Sequence, residues 1–311
     1  MNLPSIPGLK RFSYSELKEA TQGFSSEWVL GRGGFGEVYK GKLHDGKVVA
    51  IKNVYMPIMH STKHIVDELI LNSRLQHKNI VRLLGYAFDV QKTIKELNGK
   101  CVVEDVQRLL LVHEFMPHGS LANHMGGDVD WRTRFNIIQG IAEGIQYLHE
   151  NMVIHSDLKP DNILMDSDMT PKISDFGLST MFKEGMENSR IFTINIGGTL
   201  GYIPPEYLDR GIVSFKNDIF AFGVLLLDIV SGRGRGASVG WAWNVREAGR
   251  LKAEFNSSLL DESQLKEIER CVTIGLLCSQ ANSEHRPIMA DVLKMIHGNK
   301  KLPNPKKPSY I

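Results

Sequence analysis

The sequence predicts an α+β fold with two lobes, a smaller one rich in strands and a larger one rich in helices. Its 311 residues with 42% hydrophobic content are enough for one large core or two smaller ones. Short apolar runs typical of strands come first, at 48–52, 83–88 and 109–112. Apolar residues at helical spacing follow, from Trp131 onward. Strands followed by helices are typical of the α+β class.

Charge and cysteine content narrow the classes of function. A net charge of +2 with 23% charged residues leaves no sign excess of the kind that attracts nucleic acid or anionic membranes. Cys101, Cys271 and Cys278 are odd in number and lack C-x-x-C spacing, which predicts neither a disulfide framework nor a zinc site. The apolar run 219–230 is shorter than the roughly 20 residues that span a bilayer. We therefore expect a chain without a transmembrane segment, in a reducing compartment.

A glycine-rich turn lies between two predicted strands near the N-terminus. Its residues and the start of the next strand are Leu30, Gly31, Arg32, Gly33, Gly34, Phe35, Gly36 and Val38. Glycines let backbone N–H groups approach phosphate oxygens, and a valine beyond them offers an apolar surface to a base. A dinucleotide-binding βαβ unit would need a helix directly after the turn and an acidic residue about 20 positions later, and neither is present. The turn is therefore interpreted as a nucleotide lid.

Lys52 ends an otherwise apolar strand, so its ammonium needs an anionic partner to offset desolvation. A phosphate group and a carboxylate would both serve. A helix predicted from about residue 64 to 75 offers Glu68 and, as a competitor, Asp67. The alternative interpretation is that these are unrelated surface charges.

The stretch 153–164 concentrates polar groups between apolar flanks. His155, Asp157, Lys159 and Asn162 lie within eight residues, and Asp175-Phe176-Gly177 begins thirteen residues after Asn162. This density of polar side chains is typical of a loop that carries chemistry.

The order of these motifs resembles the protein kinases. It runs from the glycine loop through Lys52 and Glu68 to Asp157-Leu158-Lys159-Pro160, Asn162 and Asp-Phe-Gly. The resemblance is closest to the plant receptor-like kinases and their Pelle and interleukin-receptor-associated relatives, and it covers about residues 12–298. It implies a bilobal kinase fold, in which a small antiparallel sheet with one helix precedes a larger, mainly helical lobe.

The resemblance also implies a division of the chain. Residues 1–23 would be a juxtamembrane-like segment, 24–116 the N-lobe and 117–298 the C-lobe, followed by a flexible tail at 299–311. The polar residues 89–108 are interpreted as a surface insertion in the N-lobe, because they exceed the tight turn that such strands usually need.

The resemblance assigns roles to the candidate site residues. Asp157 would accept the proton of a Ser or Thr hydroxyl, Lys159 would neutralise the transferring phosphate, and Asn162 and Asp175 would hold Mg²⁺. Glu68 is favoured over Asp67 as the partner of Lys52, which would hold the α- and β-phosphates of ATP. Further ATP contacts would come from the glycine-loop residues together with Ala50, His113, Glu114, Met116 and Leu164.

Downstream residues and partners follow from the same resemblance. Thr199 and Glu206 would belong to the activation segment, with Arg286 paired to Glu206. The implied function is Ser/Thr phosphorylation of protein substrates in receptor-linked signalling, with a membrane receptor or co-receptor kinase as a further partner. The expected location is the cytoplasm, either free or held by a partner at the plasma membrane. The alternative is a signalling scaffold that binds ATP and turns it over poorly.

Local patterns predict several further elements. Ser13 or Ser15 would cap a short helix, and a core-facing helix would run from Trp131 to Asn151. The all-round apolar helix after Asp218 is expected to be buried, with Asp218 as its N-terminal cap and as an anchor for the catalytic loop. Residues 300–311 are rich in Pro and Lys and are expected to be frayed.

Three residues depart from the kinase pattern. Asn72 stands where an apolar residue is usual. In one interpretation its amide is unpaired and costs about 1–3 kcal/mol of stability; in the other it finds a polar partner at little cost. His113 stands where related kinases more often hold Tyr at the rear of the nucleotide pocket. Ser156 replaces the usual Arg of His-Arg-Asp, which pairs with a phosphorylated activation-segment residue.

Since Ser156 cannot supply that positive charge, we expect activity that does not depend strongly on activation-segment phosphorylation. Replacing Ser179, Thr180, Ser189 and Thr193 together by Ala tests this hypothesis in a phosphate-transfer assay. The quadruple variant is expected to keep most of its activity. A near-total loss of activity in a folded quadruple variant would contradict the hypothesis.

Overall fold

The computed structural model describes residues 6–34, 36–55, 69–97, 100–126, 129–183, 185, 190–234, 236–255 and 260–311. These residues belong to two compact units. The first comprises the described residues within 1–77 and 81–116, and the second comprises those within 78–80 and 117–311. The predicted α+β class is confirmed, because the first unit contains a six-stranded sheet and the second unit is mainly helical.

The first unit is built on one six-stranded sheet. Its elements are β1 Lys10–Arg11, α1 Tyr14–Ala20, β2 Val29–Gly33, β3 Gly36–Lys42, β4 Val48–Val54, β5 Leu83–Leu97 and β6 Lys100–Glu114. The strand order is β1-β5-β6-β4-β3-β2, with antiparallel neighbours except for the parallel pair of β1 and β5. Residues 69–74 are also helical.

The N-terminal residues form part of the core of this unit. Of the two predicted caps of α1, Ser13 is the one that caps the helix. Its Oγ accepts a hydrogen bond from the Glu16 backbone N–H at 3.1 Å. Leu17 on α1 is fully buried against Val49 and Ile51 of β4. The helix therefore covers one face of the sheet rather than preceding the fold as a separate tail.

Side chains alternate between the two faces of β4. Val49 and Ile51 face α1, so Ala50 and Lys52 lie on the opposite face. The cross-strand partner of Lys52 on β3 is Val38. One face of the sheet thus packs against α1, and the opposite face carries the predicted nucleotide residues beside a second core cluster that includes Leu109 and Leu111.

The predicted insertion at 89–108 is a continuation of the neighbouring strands. The hairpin pairs Asp89 with Arg108 and continues to Leu97 and Lys100. The partner strand β4 pairs with β6 only from Leu109 onward. The additional residues therefore lengthen a β-hairpin and do not form an irregular loop.

The second unit is mainly helical. Its helices are α2 Trp131–Glu150, α3 Pro205–Arg210, α4 Phe215–Ser231, α5 Ser238–Glu247, α6 Leu251–Glu254, α7 Glu262–Cys278 and α8 Met289–Ile296. Its short strands are β7 Val153–Ile154, β8 Ile163–Met165, β9 Pro171–Ile173, β10 Thr180–Met181, β11 Ile191–Phe192 and β12 Ile212–Val213. The strands pair as β10 with β7, β11 with β12 and β8 with β9.

The burial of helices α2 and α4 agrees with the predictions from the sequence. All five predicted core positions of α2 are buried, namely Phe135, Ile138, Ile141, Ile145 and Leu148. Helix α4 is buried from Asn217 to Val230. Its predicted cap was wrong: Ser214 caps the helix through its Oγ, which accepts the Lys216 backbone N–H at 3.3 Å, and Asp218 lies within the first turn.

Residues 300–311 are expected from the sequence to be frayed, but the structure shows them in contact with the rest of the second unit. The backbone N–H of Lys306 donates to Gln280 Oε1 at 3.2 Å, and the Tyr310 hydroxyl donates to the Ser279 carbonyl at 2.5 Å. Proline residues 305 and 308 are buried. The segment is therefore packed against the end of α7.

The two cysteines of α7 act as core residues. Cys271 and Cys278 are fully buried, and burial raises the pKa of each thiol to about 12. Protonated, buried thiols are poor nucleophiles and poor metal ligands. Within the described ranges, no helix combines the length and the apolar character that crossing a membrane requires.

Candidate active site

Three predicted site residues of the second unit bond to the carboxylate of a fourth, Asp157. Lys159 Nζ lies 2.9 Å from Asp157 Oδ2, and Asn162 Nδ2 donates to the same oxygen at 3.0 Å. The Thr199 hydroxyl donates to Asp157 Oδ1 at 2.8 Å and accepts from Lys159 Nζ at 2.8 Å. Asp157 is only 6% exposed, so these bonds hold its carboxylate in one orientation.

The backbone before Asp157 is held by the buried carboxylate of Asp218. One oxygen accepts the His155 N–H and the other accepts the Ser156 N–H, each at 2.9 Å. His149 Nε2 donates to Asp218 Oδ2 at 3.1 Å. These bonds fix a strained turn, because Ser156 has a φ of 70°, in the left-handed region that a residue with a Cβ rarely adopts. Asp218 anchors the loop as the sequence predicted.

The same bonds set the charge state of Asp218. Burial acts to raise the pKa of this carboxyl, but hydrogen bonds from His149 and from the His155 backbone outweigh it. The pKa of Asp218 therefore lies below its ordinary value, and the anchor is a carboxylate near neutral pH.

His155 connects this loop to the Asp-Phe-Gly motif. Its Nδ1 accepts the Asp157 backbone N–H at 3.2 Å, so the proton is on Nε2, which donates to the Ser174 carbonyl at 2.9 Å. The His155 ring also packs edge-on against Phe176, with centroids 5.2 Å apart. The backbone of Ser174 donates to the Asn162 carbonyl at 2.8 Å. The two candidate metal ligands, Asn162 and Asp175, are thus carried by linked backbone segments.

Glu206, which follows Thr199 in the chain, forms an ion pair with the buried Arg286. Arg286 donates to both oxygens of Glu206, at 2.6 and 2.8 Å, which confirms the predicted pairing. Its remaining N–H groups donate to the carbonyls of Gln280, Ala281 and Lys216 at 2.7 to 3.1 Å. Because every guanidinium donor has an acceptor, this charge is fully compensated in the interior.

The glycine loop of the first unit is the hairpin of β2 and β3. Gly36 has a φ of 152°, and a Cβ there would lie 2.2 Å from the Asn53 carbonyl oxygen, so only glycine fits. A Cβ at Gly31, Gly33 or Gly34 would have no neighbour among the described atoms. Packing does not demand glycine at these three positions, which leaves room for a ligand to approach the backbone.

Lys52 shares a sheet face with other predicted nucleotide residues. In register, Val38 lies beside Lys52, and His113 lies beside Ala50. All four are half-buried. The fold therefore groups a valine, an alanine and a lysine on one sheet surface, as a base and its phosphates would require.

The remaining predicted residues are distributed over both units. Glu114 ends β6 and accepts the Arg82 backbone N–H at 2.8 Å, Met116 is buried, and Leu164 lies in β8 of the second unit. Leu30 and Arg32 lie in β2, where Arg32 forms an ion pair of 2.8 Å with Glu37. Phe35, Asp67 and Glu68 lie outside the described residues.

Asn72, which departs from the kinase pattern, is 9% exposed and has an interaction partner within the chain. This favours the second of the two interpretations, in which the buried amide is satisfied at little cost. The helical segment at 69–74 is therefore compatible with an ordered core.

Sequence reasoning missed His149 and Tyr207. His149 contacts Asp218 across 69 positions of sequence. The Tyr207 hydroxyl accepts the Gly197 backbone N–H at 3.0 Å, two residues before Thr199. The periodicity of α2 marks its apolar face and gives no signal for a polar contact to a different helix.

Comparison with known proteins shows that the chain is similar to protein kinases. The protein kinase domain family matches residues 24–240. A putative G-type lectin S-receptor-like serine/threonine-protein kinase of Arabidopsis thaliana is 38% identical over 321 residues, covering 98% of this chain and 36% of that relative. The Arabidopsis thaliana relatives named SD1-13 and SRK are 39% and 40% identical, and cover 100% and 94% of this chain. The chain spans 38% and 35% of the length of these two relatives.

The lowered pKa of Asp218 predicts a pH-dependent effect of Asp218→Asn. At pH 7 the variant should be less stable by about 1–3 kcal/mol, because the Asn amide cannot accept from both backbone N–H groups. The extra stability that the Asp218 carboxylate gives the wild type is fully present at pH values above the ordinary carboxyl pKa of about 3.9. It is lost as the pH falls through the lowered pKa of Asp218 in the folded protein. Urea denaturation from pH 7 down to about 3 should show that the difference in unfolding free energy between wild type and Asp218→Asn becomes smaller.

Asp209→Asn, at an exposed carboxylate, serves as the matched control and should stay near wild type. A gap between Asp218→Asn and wild type that is equally large at every pH would contradict the charged anchor.

Proposed function

Because the chain belongs to the protein kinase family, within the plant receptor-like group, we propose that it transfers the γ-phosphate of ATP to Ser or Thr hydroxyls of protein substrates. The observation that carries this proposal is the bonding of the Asp157 carboxylate by Lys159, Asn162 and Thr199. Phosphoryl transfer needs positioning and charge stabilisation more than covalent chemistry, and this arrangement offers both.

Asp157 acts as the proton acceptor. An ionised carboxylate only accepts hydrogen bonds, and its oxygens can take a substrate hydroxyl in addition to the donors already present. The donors fix its orientation, so a hydroxyl that reaches it is aligned for attack on the γ-phosphorus of ATP. As the new O–P bond forms, the bond from the γ-phosphorus to the β–γ bridging oxygen breaks, ADP leaves, and the hydroxyl proton passes to the carboxylate. Lys159, held within 2.9 Å of Asp157, places a positive charge where the transferred group gains negative charge.

The residues present fit Mg²⁺ and ATP. Asn162 uses its amide nitrogen to bond Asp157, so its oxygen would be the atom that binds a metal ion. That oxygen and the Asp175 carboxylate are the hard donors that Mg²⁺ prefers. When bound, Mg²⁺ would neutralise charge on the β- and γ-phosphates. The open backbone at Gly31, Gly33 and Gly34 and the Lys52 ammonium would hold the phosphates.

The acceptor class rests on Thr199 and Lys159. The Thr199 hydroxyl bridges Lys159 and Asp157, so both side chains occupy the space beside the carboxylate. This pairing resembles the Ser/Thr-directed kinases. The relatives are also named serine/threonine-protein kinases, which supports the same acceptor class.

We further propose a role in receptor-linked signalling, in defence or development. Its support is the similarity to relatives named S-receptor-like kinases. A membrane receptor or a co-receptor kinase is the partner that this role requires. The proposed location is the cytoplasm, either free or held by that partner at the cytosolic face of the plasma membrane. The scaffold alternative rests on the unusual Asn72 and His113. A buried and partnered Asn72 together with an ordered Asp157 site favours the enzyme.

Replacing Asp157 by Asn tests the proposed activity. The variant should lose roughly 100- to 10,000-fold in rate, because an amide cannot accept the hydroxyl proton as a carboxylate does. The measurement is transfer of radiolabelled phosphate from Mg²⁺-ATP to the protein itself and to a peptide that contains Ser and Thr. Asp161→Asn is the matched control, since Asp161 is an exposed carboxylate in the same loop, and it should remain active.

Equal background transfer in wild type, Asp157→Asn and Asp161→Asn would refute the enzyme and leave the ATP-binding scaffold. Phosphotyrosine as the main product would contradict the Ser/Thr assignment alone.

A further inference from the structure

Residues 302–311, here called the strap, are held on the second unit by a two-way amide clamp. Gln280 Nε2 donates to the Lys306 carbonyl at 2.8 Å, and the Lys306 backbone N–H donates back to Gln280 Oε1 at 3.2 Å. Gln280 is only 3% exposed. Two reciprocal bonds to a buried amide fix both the position and the direction of the strap.

Tyr310 makes the second attachment of the strap. Its hydroxyl donates to the Ser279 carbonyl at 2.5 Å, and its ring lies 5.8 Å from the ring of Phe220 in α4. Burial raises the pKa of Tyr310 to about 12, so the hydroxyl keeps its proton near neutral pH. The guanidinium of Arg286 lies 4.9 Å from the same Phe220 ring.

The strap therefore contacts both supports of Arg286. The first support is the Gln280 carbonyl, which accepts Arg286 Nε at 2.7 Å while the Gln280 side chain holds Lys306. The second is the buried Phe220 ring, against which the Tyr310 ring packs at a tilt. The side chain of Arg286 is fully buried, so its ion pair with Glu206 depends on these fixed neighbours.

From Glu206 the contacts lead to the catalytic carboxylate. Tyr207 follows Glu206 on α3, and its hydroxyl accepts the Gly197 backbone N–H at 3.0 Å. Two residues later, Thr199 donates to Asp157 Oδ1 at 2.8 Å. Hydrogen bonds, packed rings and two short backbone links, from Glu206 to Tyr207 and from Gly197 to Thr199, thus join the strap to Asp157. Such a contiguous network can carry coupling between distant sites.

We infer that Tyr310 and Gln280 are positioning residues for the phosphoryl-transfer site, acting through Arg286 and Glu206 on the segment that carries Thr199. This inference rests on the proposed kinase function for its catalytic readout. Its structural readout, the order of residues 190–204, stands independently of any activity.

The test uses the full chain with Tyr310→Ala and Gln280→Met, alone and combined. Methionine keeps the length of Gln280 but cannot clamp Lys306. Lys307→Ala is the matched control, since Lys307 is an exposed strap residue. Tyr310→Phe keeps the ring against Phe220 and serves as the conservative rescue. Hydrogen–deuterium exchange of peptides covering 190–204 is measured beside the KM values for ATP and for a Ser/Thr peptide.

Tyr310→Ala and Gln280→Met are expected to speed exchange in residues 190–204 and to raise the KM for the peptide by about three- to thirty-fold, with the KM for ATP unchanged. Lys307→Ala should match wild type, and Tyr310→Phe should recover most of the loss. Unchanged exchange at 190–204 in folded Tyr310→Ala and Gln280→Met would overturn the inference. So would equal increases in both KM values.

If the wild-type protein transfers no phosphate, the proposed function fails, and the exchange data alone then decide the inference. Accelerated exchange at 190–204 in an inactive protein would retain the link between strap and segment, whereas unchanged exchange would reject it.

Discussion

The buried carboxylate of Asp218 is the interaction on which the rest of the site depends. It accepts the backbone N–H groups of His155 and Ser156, one on each oxygen, and thereby holds Ser156 in a left-handed conformation. That conformation turns the chain so that the next residue, Asp157, meets Lys159, and its cost of about 1–3 kcal/mol must be offset by neighbouring bonds. Without the two hydrogen bonds to Asp218, the cost of this turn would not be offset.

A second anchor acts on the opposite side of Asp157. The ion pair of Arg286 and Glu206 fixes α3, and the Tyr207 hydroxyl on that helix holds the backbone two residues before Thr199. The Asp157 carboxylate is therefore positioned from α4 through the backbone that precedes it and from α3 through a side-chain hydroxyl. Neither route uses a positive charge at position 156. This explains in physical terms how a loop with serine there can be ordered before any phosphate is attached to the activation segment.

The sequence was most informative where contacts are local. Asp157, Lys159 and Asn162 lie within six residues, so any tight loop brings them together. It was least informative where the partner is a backbone group distant in sequence. The clamp between Gln280 and Lys306 uses the Lys306 main chain, and a segment rich in Pro and Lys has the composition of an exposed tail. The start of α4 was misplaced because its apolar run gives no mark of its first turn, which Ser214 sets.

Amide exchange at His155 and Ser156, measured residue by residue in protein treated with phosphatase, tests the anchored loop most directly. The account predicts slow exchange at both amides in the unphosphorylated protein, because both N–H groups are bonded to a buried carboxylate. Asp218→Asn should accelerate both amides, whereas Asp209→Asn should not. Fast exchange in the dephosphorylated wild type that slows only after phosphorylation of the activation segment would contradict the account.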